Sequence, residues 1–325
     1  MGARGHVWSI LLAAGDGKRV QPLTGEVDGV PVPKQFYRPG GSESMLRWTI
    51  NRAADLVPVQ HIVPVVASQH HRWWESELTD IPASNVIVQP GNRGTGAGIL
   101  LPLLHVRRLD PMARVLILPT DHYVENEERL RMAILDAIDE AHRNHDRIVL
   151  VGTRPSENDT ECGWIVPRSI ASRALASPVA AFVEKPGHEI SCRLARRGAV
   201  VNTLIMAAIV DAMMKLFERA VPELVEAFVS WNETRHGDLD GLYRILPNVD
   251  FSREVLERSC DLLSVVRAAD CGWMDLGTPA RLTTFRRRRG SATSEVMAGS
   301  VLRGQGPYSG MGQDLGSSWR RESAL

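Results

Sequence analysis

The sequence is poor in several features that mark particular classes of protein. It has only 4 cysteines in 325 residues, and none forms a CxxC pair, which argues against a zinc ribbon or a disulfide framework. Basic and acidic side chains balance at 38 each, a composition unlike that of proteins built to bind nucleic acid or anionic membranes. We therefore expect a cytoplasmic protein with reduced thiols and with neither nucleic-acid nor membrane partners. A homo-oligomer is left open.

Long hydrophobic runs are also scarce. The apolar stretch over residues 199–214 is interrupted by Asn202, Thr203 and Asp211, so it does not predict a transmembrane helix. The run over residues 7–14 is short and leads into a glycine-rich polar loop. We interpret it as a first buried strand rather than a signal peptide.

Lysine is rare as well. Only Lys18, Lys34, Lys185 and Lys215 are lysines, and the other 34 basic side chains are arginines. A lysine presents a compact ammonium and an arginine a broad planar fork, so the two are poor substitutes at a binding site. Three of the four lysines fall within the motifs described below.

What the sequence does contain is an alternation of short apolar runs with longer helical patterns. This alternation predicts a three-layer α/β sandwich with a mostly parallel central sheet, Rossmann-like, in which ligands bind beyond the carboxyl ends of the strands. The predicted strands are Trp8–Ala13, His61–Ala67, Asn85–Gln89, Arg114–Leu118, Arg147–Gly152, Gly163–Pro167, Val179–Val183 and Val200–Ala207.

The composition changes near the end of the chain. Residues 286–325 begin with four consecutive arginines and continue as a segment rich in glycine and serine, with little periodicity. We predict one folded domain over residues 1–285 and a flexible tail over residues 286–325.

The first predicted strand runs into a loop that suits phosphate binding. Gly15 and Gly17 leave backbone N–H groups unobstructed, and Lys18 and Arg19 add two cations. Pro22 stands where a dinucleotide-binding fold would continue directly into a helix, which disfavours a nicotinamide-dependent oxidoreductase.

Further along, Pro33 stiffens the backbone before Lys34, which can project a point charge towards a phosphate. Asp121 follows a buried apolar strand, and Asp275 lies between Trp273 and Gly277. Two carboxylates from distant segments are a recurring way to hold Mg²⁺ for phosphoryl transfer, so we expect Asp121 and Asp275 to be metal ligands.

Five motifs, in order, resemble those of the sugar-1-phosphate nucleotidyltransferases, and most closely those of the mannose-1-phosphate guanylyltransferases. They are LAAGDGKRVQPLT with PKQF, QPGNRGTGA from Gln89, LPTDH from Leu118, FVEKP from Phe182 and WMDLGT from Trp273. The chain departs from the family pattern at Ala14 and Lys18, and at Gly94, where the guanylyltransferases often have Asn. It also departs at residues 201–204, where Val-Asn-Thr-Leu replaces the family's W-N-[ST]-G.

The resemblance implies a role for each matching position, with the chemistry of the side chains in agreement. Arg19, Lys34 and Lys185 would be catalytic, Glu184 and Asn202 would bind the sugar, and Mg²⁺ would be the cofactor. The nucleotide would be bound by Leu12, Ala13, Ala14, Gly15, Gly17, Lys18, Gln89, Gly94 and Thr95.

The implied reaction joins GTP and mannose 1-phosphate to give GDP-mannose and pyrophosphate. Two alternatives stay open at this point. One is the same chemistry with another hexose 1-phosphate, or with UTP or dTTP. The other is a non-catalytic regulatory homologue that binds a nucleotide sugar, for which the altered residues 201–204 leave room.

Overall fold

The computed structural model describes residues 6–156, 159–169, 175–233 and 238–288. Within these ranges the strands are β1 (Val7–Ala13), β2 (Glu26–Val27), β3 (Val30–Pro31), β4 (Ile62–Ala67), β5 (Ile87–Gln89), β6 (Arg114–Pro119), β7 (His122–Tyr123), β8 (Ile148–Thr153), β9 (Gly163–Pro167), β10 (Ala176–Glu184), β11 (Val200–Ile209), β12 (Leu263–Arg267) and β13 (Met274–Asp275).

The described helices are α1 (Gln21–Thr24), α2 (Met45–Ala54), α3 (His71–Trp74), α4 (Gly94–Leu109), α5 (Glu127–Arg143), α6 (His188–Arg196), α7 (Val210–Ala220), α8 (Pro222–Glu233), α9 (Leu239–Ile245) and α10 (279–288). Short 3₁₀ turns at Lys18–Val20 and Lys34–Phe36 carry predicted site residues. None of the described helices has the length and apolarity that crossing a bilayer requires.

A nine-stranded sheet forms the centre of the fold, in the order β5-β4-β1-β6-β11-β8-β12-β10-β9. Alternate side chains of β1 enter two different cores. Trp8 and Ile10 pack in one core with α4, and Leu11 and Ala13 pack in the other with α5. Helices therefore cover both faces of the sheet, which is the predicted three-layer α/β arrangement.

The prediction of a mostly parallel sheet was wrong, because the sheet is mixed. β5, β4, β1 and β6 are parallel to one another. In contrast, β11 runs antiparallel to β6, β8 and β9, and β10 runs antiparallel to β12 and β9. The sequence hid this because eight of the ten β11 residues are buried. A strand buried on both faces has the same continuous apolar pattern in either direction.

All eight predicted strands are present in the nine-stranded sheet, and its ninth strand, β12, was missed. The two-residue strands β2, β3, β7 and β13 were not predicted either. β12 lies parallel to β8 and fills the position between β8 and β10. Its sequence, Leu-Ser-Val-Val-Arg, is a short apolar run of the kind that periodicity alone does not assign.

The chain divides into two compact units, residues 1–282 and 283–325. In the second unit the structure describes residues 283–288, which are helical. The predicted tail over residues 286–325 falls mostly outside the described residues, so its boundary and its flexibility stay predictions.

Candidate active site

A two-stranded ribbon beside the main sheet brings the two predicted metal ligands together. β7 follows β6 after two residues, and it pairs antiparallel with β13 so that His122 faces Asp275. The backbone N–H of Leu276 donates to the carbonyl of Asp121 at 3.3 Å. Asp121 and Asp275 therefore meet at the carboxyl end of β6, the edge where the sequence predicted ligands to bind.

Lys34 lies between these two carboxylates. Its Nζ donates to Asp121 Oδ2 and to Asp275 Oδ1, both at 2.8 Å. The Lys34 side chain is 7% exposed, whereas that of Asp121 is 39% exposed. The predicted cation and both predicted metal ligands thus form one cluster, open to solvent on the Asp121 side.

The charges of this cluster shift one another's ionisation. Burial alone would lower the pKa of Lys34, but Asp121 and Asp275 outweigh it and raise this pKa above its ordinary value. Burial would raise the pKa of Asp121, but the Lys34 ammonium holds it at about 2. Burial lowers the pKa of His122, whose Nε2 lies 3.4 Å from Asp121 Oδ1. At neutral pH the cluster therefore contains a charged Lys34 and a charged Asp121 beside a neutral His122.

Two glycines provide the space that this arrangement needs. A Cβ on Gly17, whose φ is +62°, would lie 2.7 Å from the Cβ of Lys34. A Cβ on Gly277 would lie 2.9 Å from both carboxylate oxygens of Asp275 and 3.2 Å from Lys34 Nζ. Any larger residue at either position would push the ammonium or the carboxylate out of place.

An arginine supports Asp275 from the other side. Arg281 donates to Asp275 Oδ2 at 3.1 Å and to Asp159 Oδ1 at 2.6 Å. It also lies 3.4 Å from the Sγ of buried Cys162, and burial raises the pKa of that thiol to about 12. Cys162 is therefore a neutral thiol that packs in the site, with no nucleophilic thiolate at neutral pH.

The glycine-rich loop after β1 is held by its carbonyl groups. The amide of buried Gln35 donates to the carbonyls of Ala13 and Gly15 at 2.8 and 3.0 Å, and Thr120 Oγ1 donates to the carbonyl of Leu12 at 2.8 Å. Gln35 and Thr120 are direct neighbours of Lys34 and Asp121, so the same two segments fix the loop and the charged cluster.

Two clefts border Asp121. The first, which we call the cationic cleft, has a volume of about 290 Å³ and is lined by Asp16, Gly17, Lys18, Arg19, Val20, Lys34, Asp121 and Gly277. The second, which we call the apolar cleft, has a volume of about 360 Å³ and is lined by Leu12, Ala14, Gly15, Val65, Gln89, Asn92, Gly94, Thr95, Gly98, Pro119, Asp121 and Leu204.

The clefts divide the predicted residues by chemistry. Within the cationic cleft, Lys18 and Arg19 are exposed at its rim, and Arg19 pairs with Glu161 at 2.8 Å. Within the apolar cleft, buried Gln89 donates to the hydroxyl of Tyr243 at 2.8 Å. Gly94 has φ +78°, and a Cβ there would lie 2.3 Å from the carbonyl of Val249, so only glycine fits.

Five predicted residues are not among the described residues that line the two clefts: Ala13, Glu184, Lys185, Asn202 and Asp275. Glu184 ends β10, and burial raises the pKa of its carboxyl. Its Oε2 is buried and has no hydrogen-bond partner in the described part of the chain, while Lys185 Nζ lies 3.5 Å from its Oε1. A buried oxygen in this state is suited to accept a hydrogen bond from a ligand.

A bulge in β11 contains the segment where the chain departs from the family pattern. Asn202 faces Gly152 of β8 and Met206 faces Leu150, so four residue steps on β11 oppose two on β8. Leu204, in this bulge, has φ +57°, a conformation that costs a residue with a Cβ about 1–2 kcal/mol. The carbonyl oxygen of the Asn202 side chain accepts a hydrogen bond from the Leu204 backbone N–H at 3.1 Å.

Several residues of the site were not predicted. Gln35, His122 and Gly277 lie inside the recognised motifs. They could have been identified because each is next to, or two residues from, a predicted site residue. Arg281 and Tyr243 lie outside the motifs, and their contacts join segments that are far apart in sequence. No pattern within either segment marks such a contact.

The donors at this site fit Mg²⁺. The carboxylates of Asp121 and Asp275 are hard oxygen donors, and Asp121, His122 and Asp275 offer ligand atoms within 4.8 Å of one another. With Asp159 there are three carboxylates against the two cations Lys34 and Arg281. The cluster thus has an excess negative charge that a bound cation would neutralise.

Removing the Lys34 charge should destabilise the protein. In Lys34→Met, two carboxylates lose the cation between them, and we expect the free energy of unfolding to fall by roughly 2–3 kcal/mol, less than for a fully buried pair because solvent screens Asp121. Chemical denaturation in Mg²⁺-free buffer measures this change. The matched control is Lys215→Met, because Lys215 is exposed and pairs with an exposed Asp146 at 3.4 Å. A loss for Lys34→Met no larger than that of the control would contradict the assignment.

The chain is similar to known proteins over most of its described length. It is 29% identical over 294 residues to the mannose-1-phosphate guanylyltransferase ManC of Salmonella typhimurium, covering 84% of this chain and 58% of that protein. It is 26% identical to the xanthan biosynthesis protein XanB of Xanthomonas campestris pv. campestris, covering 89% of this chain and 61% of that protein. The chain thus spans about three fifths of the length of these curated relatives.

A solved structure described as a mannose-1-phosphate geranyltransferase from Thermus thermophilus has the same fold. It matches with a TM-score of 0.72 and 26% sequence identity, covering 84% of this chain and 76% of the other. The model of the Nucleotidyl transferase family matches residues 8–288, which include both clefts and the whole Lys34 cluster. The chain belongs to the Nucleotidyl transferase family.

Proposed function

We propose that this protein transfers a nucleotidyl group from GTP to mannose 1-phosphate, giving GDP-mannose and pyrophosphate. The observation that carries the proposal is the junction of two clefts at Asp121, with Lys34 and Asp275 beside it. One cleft is lined by cations that suit a triphosphate, and the other has an apolar wall that suits a nucleoside. The α-phosphorus, which joins these two parts of the nucleotide, then lies next to the charged cluster.

The reaction needs little covalent chemistry from the protein. A phosphate oxygen of the sugar 1-phosphate attacks the α-phosphorus in line, and the bond from that phosphorus to the bridging oxygen breaks. Pyrophosphate leaves with the electron pair. Catalysis consists of alignment and of neutralising the charge on the phosphates. Lys34, Arg19 and Lys18 supply positive charge on the side from which pyrophosphate leaves, and the backbone of the glycine-rich loop cradles the phosphates.

Asp121 and Asp275 would hold Mg²⁺, which when bound would neutralise charge on the phosphate oxygens. Lys34 holds the two carboxylates together and keeps that of Asp121 ionised, and Arg281 orients Asp275 from the opposite side. Gly277 leaves the room that all these groups share.

The sugar phosphate is assigned to the end of β10. The unpartnered Oε2 of Glu184 would accept a hydrogen bond from a sugar hydroxyl, and Lys185 would pair with the phosphate of the sugar. The side-chain oxygen of Asn202 already accepts from the backbone of Leu204, so Asn202 would act through its N–H groups.

The identities of the base and of the sugar rest on similarity. Curated relatives at 27–29% identity, among them the proteins of Salmonella typhimurium and Escherichia coli, are named mannose-1-phosphate guanylyltransferases. The side chain of Gln89 and the backbone of Gly94 would contact the base. Cytoplasmic location, the absence of nucleic-acid and membrane partners, and a homo-oligomer stay predictions from the sequence.

A pyrophosphate-release screen tests the proposal. GTP, UTP, dTTP, ATP and CTP are each combined with several hexose 1-phosphates in the presence of Mg²⁺. We expect the highest kcat/KM with GTP and mannose 1-phosphate. Faster turnover with another pair would show that the proposed substrates are wrong and that the proposed reaction type is right. If no pair turns over while GDP-mannose binds, the protein is a regulatory homologue and not an enzyme.

The metal assignment predicts that Asp121→Asn and Asp275→Asn each lower kcat by at least about 100-fold, because a neutral amide holds Mg²⁺ poorly. The control is Asp146→Asn, because the Asp146 side chain is 84% exposed. Steady-state rates over an Mg²⁺ titration provide the measurement, with thermal unfolding to confirm that each variant folds. Near-normal turnover at saturating Mg²⁺ would remove that residue from the metal role.

The assignment of Lys185 predicts a change that is specific to one substrate. Lys185→Ala should raise the KM for mannose 1-phosphate about tenfold or more and lower kcat less, while the KM for GTP stays within twofold. Lys185→Arg should restore little, because a broad fork replaces a compact charge. Lys215→Ala is the matched control. The assignment is lost if Lys185→Ala weakens GTP binding and leaves the sugar phosphate unaffected.

A further inference from the structure

Leu204 occupies a backbone conformation that disfavours its own side chain. Its φ of +57° lies in the left-handed region, where residues with a Cβ are uncommon and glycine is the usual occupant. A non-glycine residue in this region persists where its surroundings hold it there, and such residues cluster at functional sites.

Three hydrogen bonds hold the bulge. The side-chain oxygen of Asn202 accepts from the backbone N–H of Leu204 at 3.1 Å. The hydroxyl of Thr203, which is 1% exposed, donates to the carbonyl of Val151 at 2.6 Å and accepts from the N–H of Ile205 at 3.2 Å. The two residues that precede Leu204 thus anchor the bulge, and β8 supplies part of the anchor.

Leu204 lines the same cleft as residues of the glycine-rich loop. It is half-buried against the same core as Leu12 and Ala14, and all three residues line the apolar cleft. Gln89 and Asp121 also line this cleft, so its surface combines apolar side chains with groups that can form hydrogen bonds. The phosphate-binding cations line the neighbouring cationic cleft, which leaves the apolar cleft for the uncharged part of the nucleotide.

We propose that Leu204 is a substrate-binding residue that packs against the nucleoside of the bound triphosphate. The proposal rests on the function proposed above. The bulge in β11 places Leu204 in the lining of the apolar cleft, which residues of the glycine-rich loop also line. The unfavourable backbone conformation is retained because it places an apolar side chain where glycine would leave the cleft wider.

Two substitutions separate the side chain from the backbone conformation. Leu204→Ala shortens the side chain that lines the cleft and keeps a Cβ at positive φ. Leu204→Gly removes both this side chain and the backbone strain. We expect each to raise the KM for GTP by roughly tenfold, with the KM for the sugar phosphate within twofold. Leu204→Gly should melt above Leu204→Ala by roughly 2–4 °C, the reverse of the usual order within a strand. Leu109→Ala, at an exposed position in α4, is the matched control.

The outcomes distinguish this inference from the proposed function. If the wild type turns over no substrate pair, the function fails, and the dissociation constant for GTP from calorimetry then tests Leu204 on the same variants. An unchanged KM or dissociation constant for GTP in both variants would overturn the inference. So would a rise confined to the KM for the sugar phosphate, because Leu204 would then face the sugar. Absence of GTP binding by the wild type overturns it as well.

Discussion

The contact of one buried ammonium with two carboxylates is the constraint on which the site depends. Asp121 and Asp275 would repel each other if they met without a cation between them, and Lys34 supplies that cation at 2.8 Å from each. This contact also constrains neighbouring positions, because residues 17 and 277 must be glycine for the Lys34 ammonium to fit. The β7–β13 ribbon must form for Asp275 to arrive, and the clefts meet where these elements converge.

This arrangement explains why position 34 is a lysine in a chain whose other basic residues are mostly arginines. The space beside Gly277 holds the compact ammonium of Lys34, whose Nζ would lie 3.2 Å from a Cβ added at Gly277. An arginine fork is broader and would not fit between the two carboxylates. Elsewhere the chain uses arginine where a planar fork is suitable, as in Arg281, which contacts Asp275 and Asp159 at the same time.

Much of the site could be predicted from the sequence because its parts are local. β1 with its glycine-rich loop, Lys34 after Pro33, and Asp121 after β6 are each marked by residues within a few positions. The direction of β11 could not be predicted, because a strand buried on both faces has no directional pattern. The contacts of Arg281, and of Gln89 with Tyr243, could not be predicted either, since they arise only when distant segments pack. Gln89 and Tyr243 are 154 positions apart.

The ribbon of β7 and β13 also has a consequence for how the protein folds. Lys34 and Asp275 are 241 positions apart, so their contact closes a loop that includes most of the chain. Contacts of such long range are slow to form, because the entropy of closing the loop is lost before the contact is gained. A nascent chain on the ribosome already carries Lys34 and Asp121 but gains Asp275 only after a further 153 residues have been added. The charged centre is therefore completed late, and incomplete chains cannot present it.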